Sequence, residues 1–376
     1  MKILVLSCQT ESLVTFRLDM MKAFVEAGCE VIAVGHDPSE KWKEFFATVG
    51  VLYKSVPVNR TGMDFFEDRR TLKAYKELLE ETRPDKVFAY QTKAVIYGGL
   101  AVKAYGKCGF YPLIAGLGYA FSGQGIKRAA ARSYILSGYR KALKNADMVL
   151  FHNEDDREAL IKRGIVKRQK SMVVNGSGVD MELFKPCEKS EKKQTGATCF
   201  IMVARIIKDK GIIEFLEASR SLRKSGFDVK CSLVGGFDTN PSAMKLKDIE
   251  PYVLEGSVTY LGETKNVAEL LRENDVFVLP SYHEGRPRAA LEAMATGLAV
   301  ITTDVPGCRD CIENGANGIL VEPRNPETLA NAMKKLAAEP ELVKTMGKAS
   351  RRIAEEKYDV GKVNREIMEI MGIDYE

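Results

Sequence analysis

DVFVLPSYHEGRPRAALEAMATGLAVITTD, residues 275–304, decides the fold. DVFVLPS is a short apolar run of the kind buried inside a parallel sheet. SYHEGRP is the loop at its carboxyl end. The spacing then predicts a helix over Arg288–Thr296, with Pro287 suited to its first turn and Gly297 to its C-terminal cap. AVITTD is the next strand. Strand, loop, helix, strand is the repeating unit of a parallel α/β sheet.

The same alternation runs through the whole chain. Before residue 180, KILVLS, EVIAVGH, KVFAY, PLIAG, MVLFH and SMVVNG read as strands, with helices such as Phe16–Ala27 and Arg69–Glu81 between them. After it come CFIMVAR, KCSLVGG, VTYLG, DVFVLP, AVITTD and GILVEP. A chain of 376 residues exceeds one ordinary core. Two complete strand–helix series therefore predict two doubly wound, Rossmann-like domains facing across a cleft. The polar, glycine- and lysine-rich stretch NGSGVDMELFKPCEKSEKKQTG is the expected join. The expected domains are residues 1–185 and 186–357, with a terminal helix within 358–376 that packs back onto the first.

No run reaches the ~18 apolar residues of a membrane span. The opening MKILVLSCQTES turns polar too early for a signal peptide and reads as a first buried strand. The eight cysteines lack framework spacing, which fits reduced thiols in a cytoplasmic protein. Cys308 and Cys311 form a CxxC without the second pair that a zinc site needs. They read as two small residues at a helix start, and no metal site is expected.

Charge is uneven. Residues 1–180 carry 28 basic and 20 acidic side chains, and the remainder 28 and 31. From Lys86 to Ala146 there is no Asp or Glu. Lys86, Lys93, Lys103, Lys107, Lys127, Arg128, Arg132, Arg140, Lys141 and Lys144 fall in that stretch. A basic first half implies an anionic partner. Nucleic acid is not expected, because the interleaved aromatics match no binding motif.

Ligands of doubly wound sheets sit at the carboxyl ends of the strands, so the loops there hold the candidate site residues. Glu284 and Gly285 precede a helix N-terminus, where backbone N–H groups meet ligand oxygens and glycine permits close approach. Glu292, one helix turn in, has two carboxylate oxygens for a vicinal diol. In VARIIKDKG, residues 203–211, Arg205 and Lys210 lie on a strand-to-helix loop with Gly211 at the turn. A guanidinium clamp and an ammonium point charge together suit a diphosphate. Gly235 and Gly236 in LVGGFD, and Gly262 in YLGE, are points of close backbone approach. Hydroxyl acceptors beside paired cations suit a nucleotide sugar. Each residue taken alone also reads as a solvated loop charge or an ordinary strand-end glycine.

In this order, VARIIKDKG, SLVGG, VTYLG, DVFVLPSYHEGRPRAALEAMATGLAVITTDVPG and NGILVEP resemble the retaining glycosyltransferases of family 4, including the E-x7-E pattern of Glu284 and Glu292. FRLDMMKAFVEAGCEVIAVG fits the same family. AYQTKAVIYGGLAVKAYG and IAGLGYAFSG resemble a bacterial subgroup that extends polyprenyl-diphosphate-linked saccharides, including N-acetylgalactosaminyltransferases. The resemblance implies the GT-B fold, with the acceptor bound by the first domain, residues 1–185, and a UDP-sugar donor by the second, residues 186–357. It implies that Arg205 and Lys210 neutralise the diphosphate and that Glu292 holds the ribose hydroxyls. Glu284, with the backbone of Gly285, Arg286 and Pro287, would orient the donor sugar. Gly262 and Glu263 would border the uracil, and Gly235 the base or ribose. Catalysis would fall to Glu284, Arg205 and Lys210, with no cofactor and no metal, since paired cations stabilise the departing UDP. Front-face attack would retain the anomeric configuration. The implied activity is transfer of GalNAc or GlcNAc in bacterial surface-glycan or glycoprotein-glycan assembly.

Two departures from the family stand out. Ala115 precedes Gly116 where many members carry a catalytic His, and SCQTESLVTFR replaces a glycine pair after the first strand. His283 lines the loop beside Glu284, while His36 and His152 read as structural. The acceptor gives the acid-free stretch a role. Lys127, Arg128, Arg132, Arg140, Lys141 and Lys144, with Phe121, Tyr134 and Tyr139, would form a shoulder on an anionic membrane, each charge adding ~1 kcal/mol. The expected location is cytoplasmic, peripheral at the inner membrane face. A UDP-sugar epimerase and a non-catalytic nucleotide-sugar sensor are the alternative functions.

Overall fold

The structure is a computed structural model. It describes every residue except 60, 61, 63, 119, 120, 122–124, 187–195, 239–241 and 375–376. The side chain of Lys127, part of the expected membrane shoulder, also lies outside the described residues, as do parts of IAGLGYAFSG and of the polar join.

The chain divides into two units, Met1–Ser177 with Val360–Glu376, and Gly178–Asp359. The first holds β1 (Lys2–Leu6), β2 (Glu30–Gly35), β3 (Val51–Ser55), β4 (Lys86–Tyr90), β5 (Gly109–Ile114), β6 (Val149–Phe151) and β7 (Ser171–Val173). They form one sheet in the order β3-β2-β1-β4-β5-β6-β7. Every pairing is parallel. The order reverses beside β1, and hydrophobic clusters cover both faces. The strand VLYKS was not expected. It lies at the sheet edge with Leu52 exposed, and Lys54 and Ser55 cut short the continuous apolar run seen in the central strands.

The second unit holds β8 (Thr198–Val203), β9 (Val229–Val234), β10 (Thr259–Tyr260), β11 (Val276–Leu279), β12 (Ala299–Thr303) and β13 (Gly318–Val321). Their order is β10-β9-β8-β11-β12-β13, again parallel throughout. All six strands expected of this half are present. Phe200, Ile201, Phe277, Val278, Val300 and Ile301 have no exposed surface and centre its core. Burying such side chains contributes about 1.5–3 kcal/mol each.

The dividing point lies at Gly178, ahead of the expected 185. Val179, Met181 and Phe184 are buried in the second unit's core, so the polar join contains apolar anchors. Arg351 fixes the segment, donating through Nη1 to the carbonyls of Met181 (3.2 Å), Phe184 (3.1 Å) and Ala295 (2.8 Å). The terminal helix Val360–Ile370 belongs to the first unit, where Val363, Ile367 and Met368 pack into a cluster with Leu13, Met20 and Phe24 of the helix Thr10–Glu26.

The acid-free stretch is not one continuous surface. Lys93 is buried and donates to Asp68 Oδ1 at 2.8 Å. Tyr134 donates to Asp68 Oδ2 at 2.6 Å, and Tyr97 and Tyr134 share a hydrogen bond of 2.5 Å. These bonds tie together the helices Phe65–Thr82, Thr92–Tyr105 and Ile126–Ala142. The two expected shoulder tyrosines are therefore inward: Tyr139 is buried and Tyr134 is committed to Asp68. Arg140, Lys141 and Lys144 are exposed, and Arg132 lies over Phe121 at 5.5 Å. Among the described residues, no helix is long and apolar enough to cross a membrane.

Candidate functional site

The loop after β11 is clamped from two sides. After β8, Gly211 adopts φ +76°, and a Cβ there would lie 2.1 Å from the Pro280 carbonyl oxygen. Only glycine allows so close an approach in that conformation. The two loops are joined at Asp209, whose carbonyl accepts from Tyr282 N (2.9 Å) and the Ser281 hydroxyl (3.1 Å). On the other side, Glu284 N donates to Pro306 O at 3.1 Å. A Cβ on Gly307, itself at φ +79°, would lie 2.3 Å from the Glu284 carbonyl oxygen. The Glu284 N–H thus closes the loop onto Pro306.

The clamp sets the side chains. Lys210 Nζ donates to Glu284 Oε1, and the Ser281 hydroxyl donates to the same oxygen at 2.8 Å. Both members of the ion pair are largely shielded, with side chains 20% and 11% exposed. At the ends of β8, β9 and β10, Gly235 N donates to Gly262 O at 2.8 Å, and the Tyr260 hydroxyl donates to Gly235 O at 2.8 Å. A Cβ on Gly235 would lie 1.8 Å from Ala204 O, and one on Gly236 would lie 2.7 Å from Glu263 Oε2. Arg205, Gly235, Gly262 and Glu263 therefore share one rim. There Arg205 Nη1 meets Asp238 Oδ2 at 2.5 Å, with the arginine half exposed.

The helix Arg288–Ala295 begins where the sequence placed it, with Pro287 at the N-cap. Glu292 Oε1 accepts from Arg288 Nε at 2.8 Å. Burial pushes the Glu292 carboxyl above its ordinary range, and Arg288 offsets only part of that shift. The Arg286 guanidinium donates to the Tyr358 hydroxyl (3.0 Å) and Asp310 O (3.3 Å), so its side chain braces the loop.

Several partners were not read from the sequence. Asp238 follows the glycine pair in LVGGFD, yet its pairing with Arg205 depends on how β8 and β9 align. The Tyr282 hydroxyl donates to Glu214 Oε1 at 2.7 Å, and the Arg324 guanidinium stacks 4.6 Å from the Tyr282 ring centroid. Glu214 is buried, so this bond anchors the residue two before Glu284. Cys308 and Cys311 are buried, and desolvation pushes the Cys308 thiol up to about 12 and Cys311 higher still. Such thiols stay protonated and pack as small apolar groups.

The site is a rim of two cations, each held by its own carboxylate, beside a helix start and a partly buried glutamate. The family model for glycosyl transferases group 1 matches residues 185–353. The chain is 30% identical to an N,N'-diacetylbacillosaminyl-diphospho-undecaprenol alpha-1,3-N-acetylgalactosaminyltransferase of Campylobacter jejuni, over 91% of each chain. It is 27% identical to a UDP-Gal:alpha-D-GlcNAc-diphosphoundecaprenol alpha-1,3-galactosyltransferase of Escherichia coli, over 74% of this chain and 73% of that one. Among solved structures, Anabaena HepE in complex with UDP superposes with TM-score 0.79 at 18% identity, covering 99% of both chains. Sucrose-phosphate synthase from Thermosynechococcus elongatus gives TM-score 0.79 at 19% identity, over 99% of this chain and 98% of that one. These likenesses give the fold as GT-B. With the match across 91% of each chain to the Campylobacter jejuni transferase, they lead to one conclusion: the chain belongs to the group 1 glycosyl transferases.

Proposed function

We propose that the enzyme moves an N-acetylhexosamine, GalNAc or GlcNAc, from UDP to a hydroxyl of a polyprenyl-diphosphate-linked saccharide in bacterial glycan assembly. The observation that carries this reading is the convergence of Lys210 and Ser281 on Glu284 Oε1 at the end of β11. The supporting context is the match, across 91% of each chain, to a transferase named for an undecaprenol-diphosphate acceptor.

The donor diphosphate lies at Arg205 and Lys210. In the Arg205–Asp238 pair the arginine is half exposed and the aspartate largely shielded; a pair open to water on one side holds by about 1 kcal/mol, so the guanidinium moves to a phosphate. Lys210 stays fixed by Glu284 and meets the diphosphate as a placed charge. As the anomeric C–O bond breaks, negative charge grows on UDP, and these two cations stabilise it without a metal ion. Glu284 orients the donor sugar hydroxyls, and Glu292 receives the ribose diol. A nucleophilic side chain is not invoked: the acceptor hydroxyl attacks from the face that UDP leaves and passes its proton to the leaving phosphate, which retains configuration. Arg140, Lys141 and Lys144 bring the enzyme to an anionic inner membrane surface.

Measuring UDP release with and without a lipid-linked acceptor tests this function. Acceptor-dependent release is expected. UDP-sugar binding without turnover would favour a sensor, and conversion of the donor to its epimer would favour an epimerase.

A further inference from the structure

The helices Phe65–Thr82 and Ile126–Ala142 follow β3 and β5, so both begin at the carboxyl edge of the first unit's parallel sheet. Their first turns hold large apolar side chains in the open. Phe65 is 65% exposed, Phe66 79% and Ile126 91%. A single exposed apolar residue is ordinary, whereas clustered ones mark an interaction surface. The two helix starts belong to one bonded block. Tyr134 of the second helix donates to Asp68 of the first, whose other oxygen accepts from buried Lys93 of the helix Thr92–Tyr105.

We propose that Phe65, Phe66 and Ile126 insert into an anionic bilayer, as an apolar foothold separate from the cations Arg140, Lys141 and Lys144; the inference rests on the transferase reading above. The neighbouring side chains have the chemistry of a bilayer interface. Arg69 and Arg70 follow Phe66, and Arg128 and Arg132 follow Ile126. Arg69 lies over the Phe65 ring at 5.6 Å, and Arg132 over the Phe121 ring at 5.5 Å. A ring with a guanidinium on its face offers apolar surface to acyl chains and a charge to lipid phosphates. Two carboxylates share the first helix start, and both are engaged within the protein. Asp64 caps the helix, accepting from Phe66 N (2.8 Å) and Glu67 N (3.0 Å), and Glu67 accepts from Asn59 Nδ2 at 3.3 Å. The cap also fixes the turn that projects Phe65 and Phe66, whose rings meet edge to face at 6.0 Å.

Charge favours lipid over a second copy of the chain. A two-fold contact would set these guanidiniums against their own copies, whereas lipid phosphates complement them. The two footholds lie at opposite ends of one helix. Arg140 and Lys141 occupy the last turn of Ile126–Ala142, about 20 Å along its axis from Ile126. Ile126, Ser133, Ser137, Arg140 and Lys141 are exposed and share one helix face, and the helix contains no Asp or Glu. That face can therefore lie along a membrane surface with both of its ends in contact.

The test uses vesicles of phosphatidylcholine and phosphatidylglycerol. Flotation at a salt concentration that screens surface charge isolates the apolar foothold. The wild type should keep part of its binding there, and the double variant Phe65→Ser, Phe66→Ser should lower that part about tenfold or more. Replacing Arg140, Lys141 and Lys144 by glutamine should lower only the salt-sensitive part. Insertion is read directly with Phe66→Trp in a Trp42→Phe background, Trp42 being the chain's one tryptophan. Phosphatidylcholine brominated along its acyl chains should quench the introduced indole. Absence of quenching, or salt-resistant binding equal in wild type and double variant, would overturn the proposal. So would a double variant that binds vesicles like the wild type but sediments as a monomer where the wild type is a dimer, which would assign the patch to a second copy of the chain. With a water-soluble short-chain acceptor the double variant should turn over as the wild type does, and it should lose activity only when the acceptor is embedded in vesicles. A wild type that inserts but transfers to no acceptor would sink the transferase reading and leave the foothold standing.

Discussion

Lys210 and Glu284, 74 positions apart in the chain, meet through Nζ and Oε1 at the ends of β8 and β11. In the proposed mechanism, the pair couples the group that would grip the leaving diphosphate to the group that would orient the sugar. Glu284→Ala should lower kcat by about 10²–10³ while UDP affinity is retained. Arg205→Ala should lose both turnover and UDP affinity. Steady-state kinetics with calorimetric UDP titration distinguishes the two patterns.

Gly307→Ala probes the clamp without touching a ligand group. The added Cβ would meet the Glu284 carbonyl at 2.3 Å, in a backbone conformation unsuited to alanine. Stability should fall by about 1–3 kcal/mol in denaturant unfolding. Turnover at a temperature where the variant is still folded should fall further than the lost fraction of folded enzyme explains. Full specific activity in the folded variant would show that the loop position does not matter.

Tyr282→Phe removes the donor to buried Glu214 and keeps the ring beneath Arg324. The expected loss is about 1.5–3 kcal/mol of stability, the range for a hydrogen bond to a charged group. Because Tyr282 holds the loop rather than the substrate, kcat should drop while UDP affinity stays. A variant with weakened UDP binding and unchanged kcat would contradict that role.

Glu292 carries a pH dependence with a definite sign. Burial makes its folded carboxyl titrate above the ordinary glutamate value of 4.5. Between that value and the raised one, the folded chain binds more protons than the unfolded chain, so stability falls as pH rises through the window. The ionised form is a cost at neutral pH. Glu292→Gln, which keeps an acceptor for Arg288, should therefore melt no lower than wild type at pH 7. The same change should weaken UDP-sugar binding, because the amide accepts a diol poorly. In the wild type, donor affinity should begin to decline at a higher pH than an ordinary glutamate would cause. Calorimetry across pH 4.5–8 and thermal melts provide both readings.

The membrane reading separates surface cations from interior ones. Replacing Arg140, Lys141 and Lys144 together by glutamine should reduce flotation with anionic liposomes, and added salt should mimic the change. Lys93, sealed against Asp68, contributes fold stability and no lipid contact. Flotation that ignores both lipid charge and salt would remove the idea.

The second unit was legible because its strands are continuous buried runs, and its loops carry Arg205, Lys210 and Glu284 at strand ends. Edge strand β3 was not, since Lys54 and Ser55 interrupt its apolar run after three residues. The boundary was misplaced because composition registers the many polar residues of the join and not the burial of Val179 and Phe184. Likewise, an acid-free run says nothing of Asp68, which lies outside it and draws Lys93 and Tyr134 inward. Sequence placed the cations; it did not reveal that each rests on a carboxylate.

Comparing UDP with uridine by titration calorimetry tests the central claim most directly. If Arg205 and Lys210 grip the diphosphate, replacing either by alanine lowers UDP affinity by about tenfold or more and leaves uridine affinity unchanged. UDP binding that is indifferent to both substitutions would contradict the account.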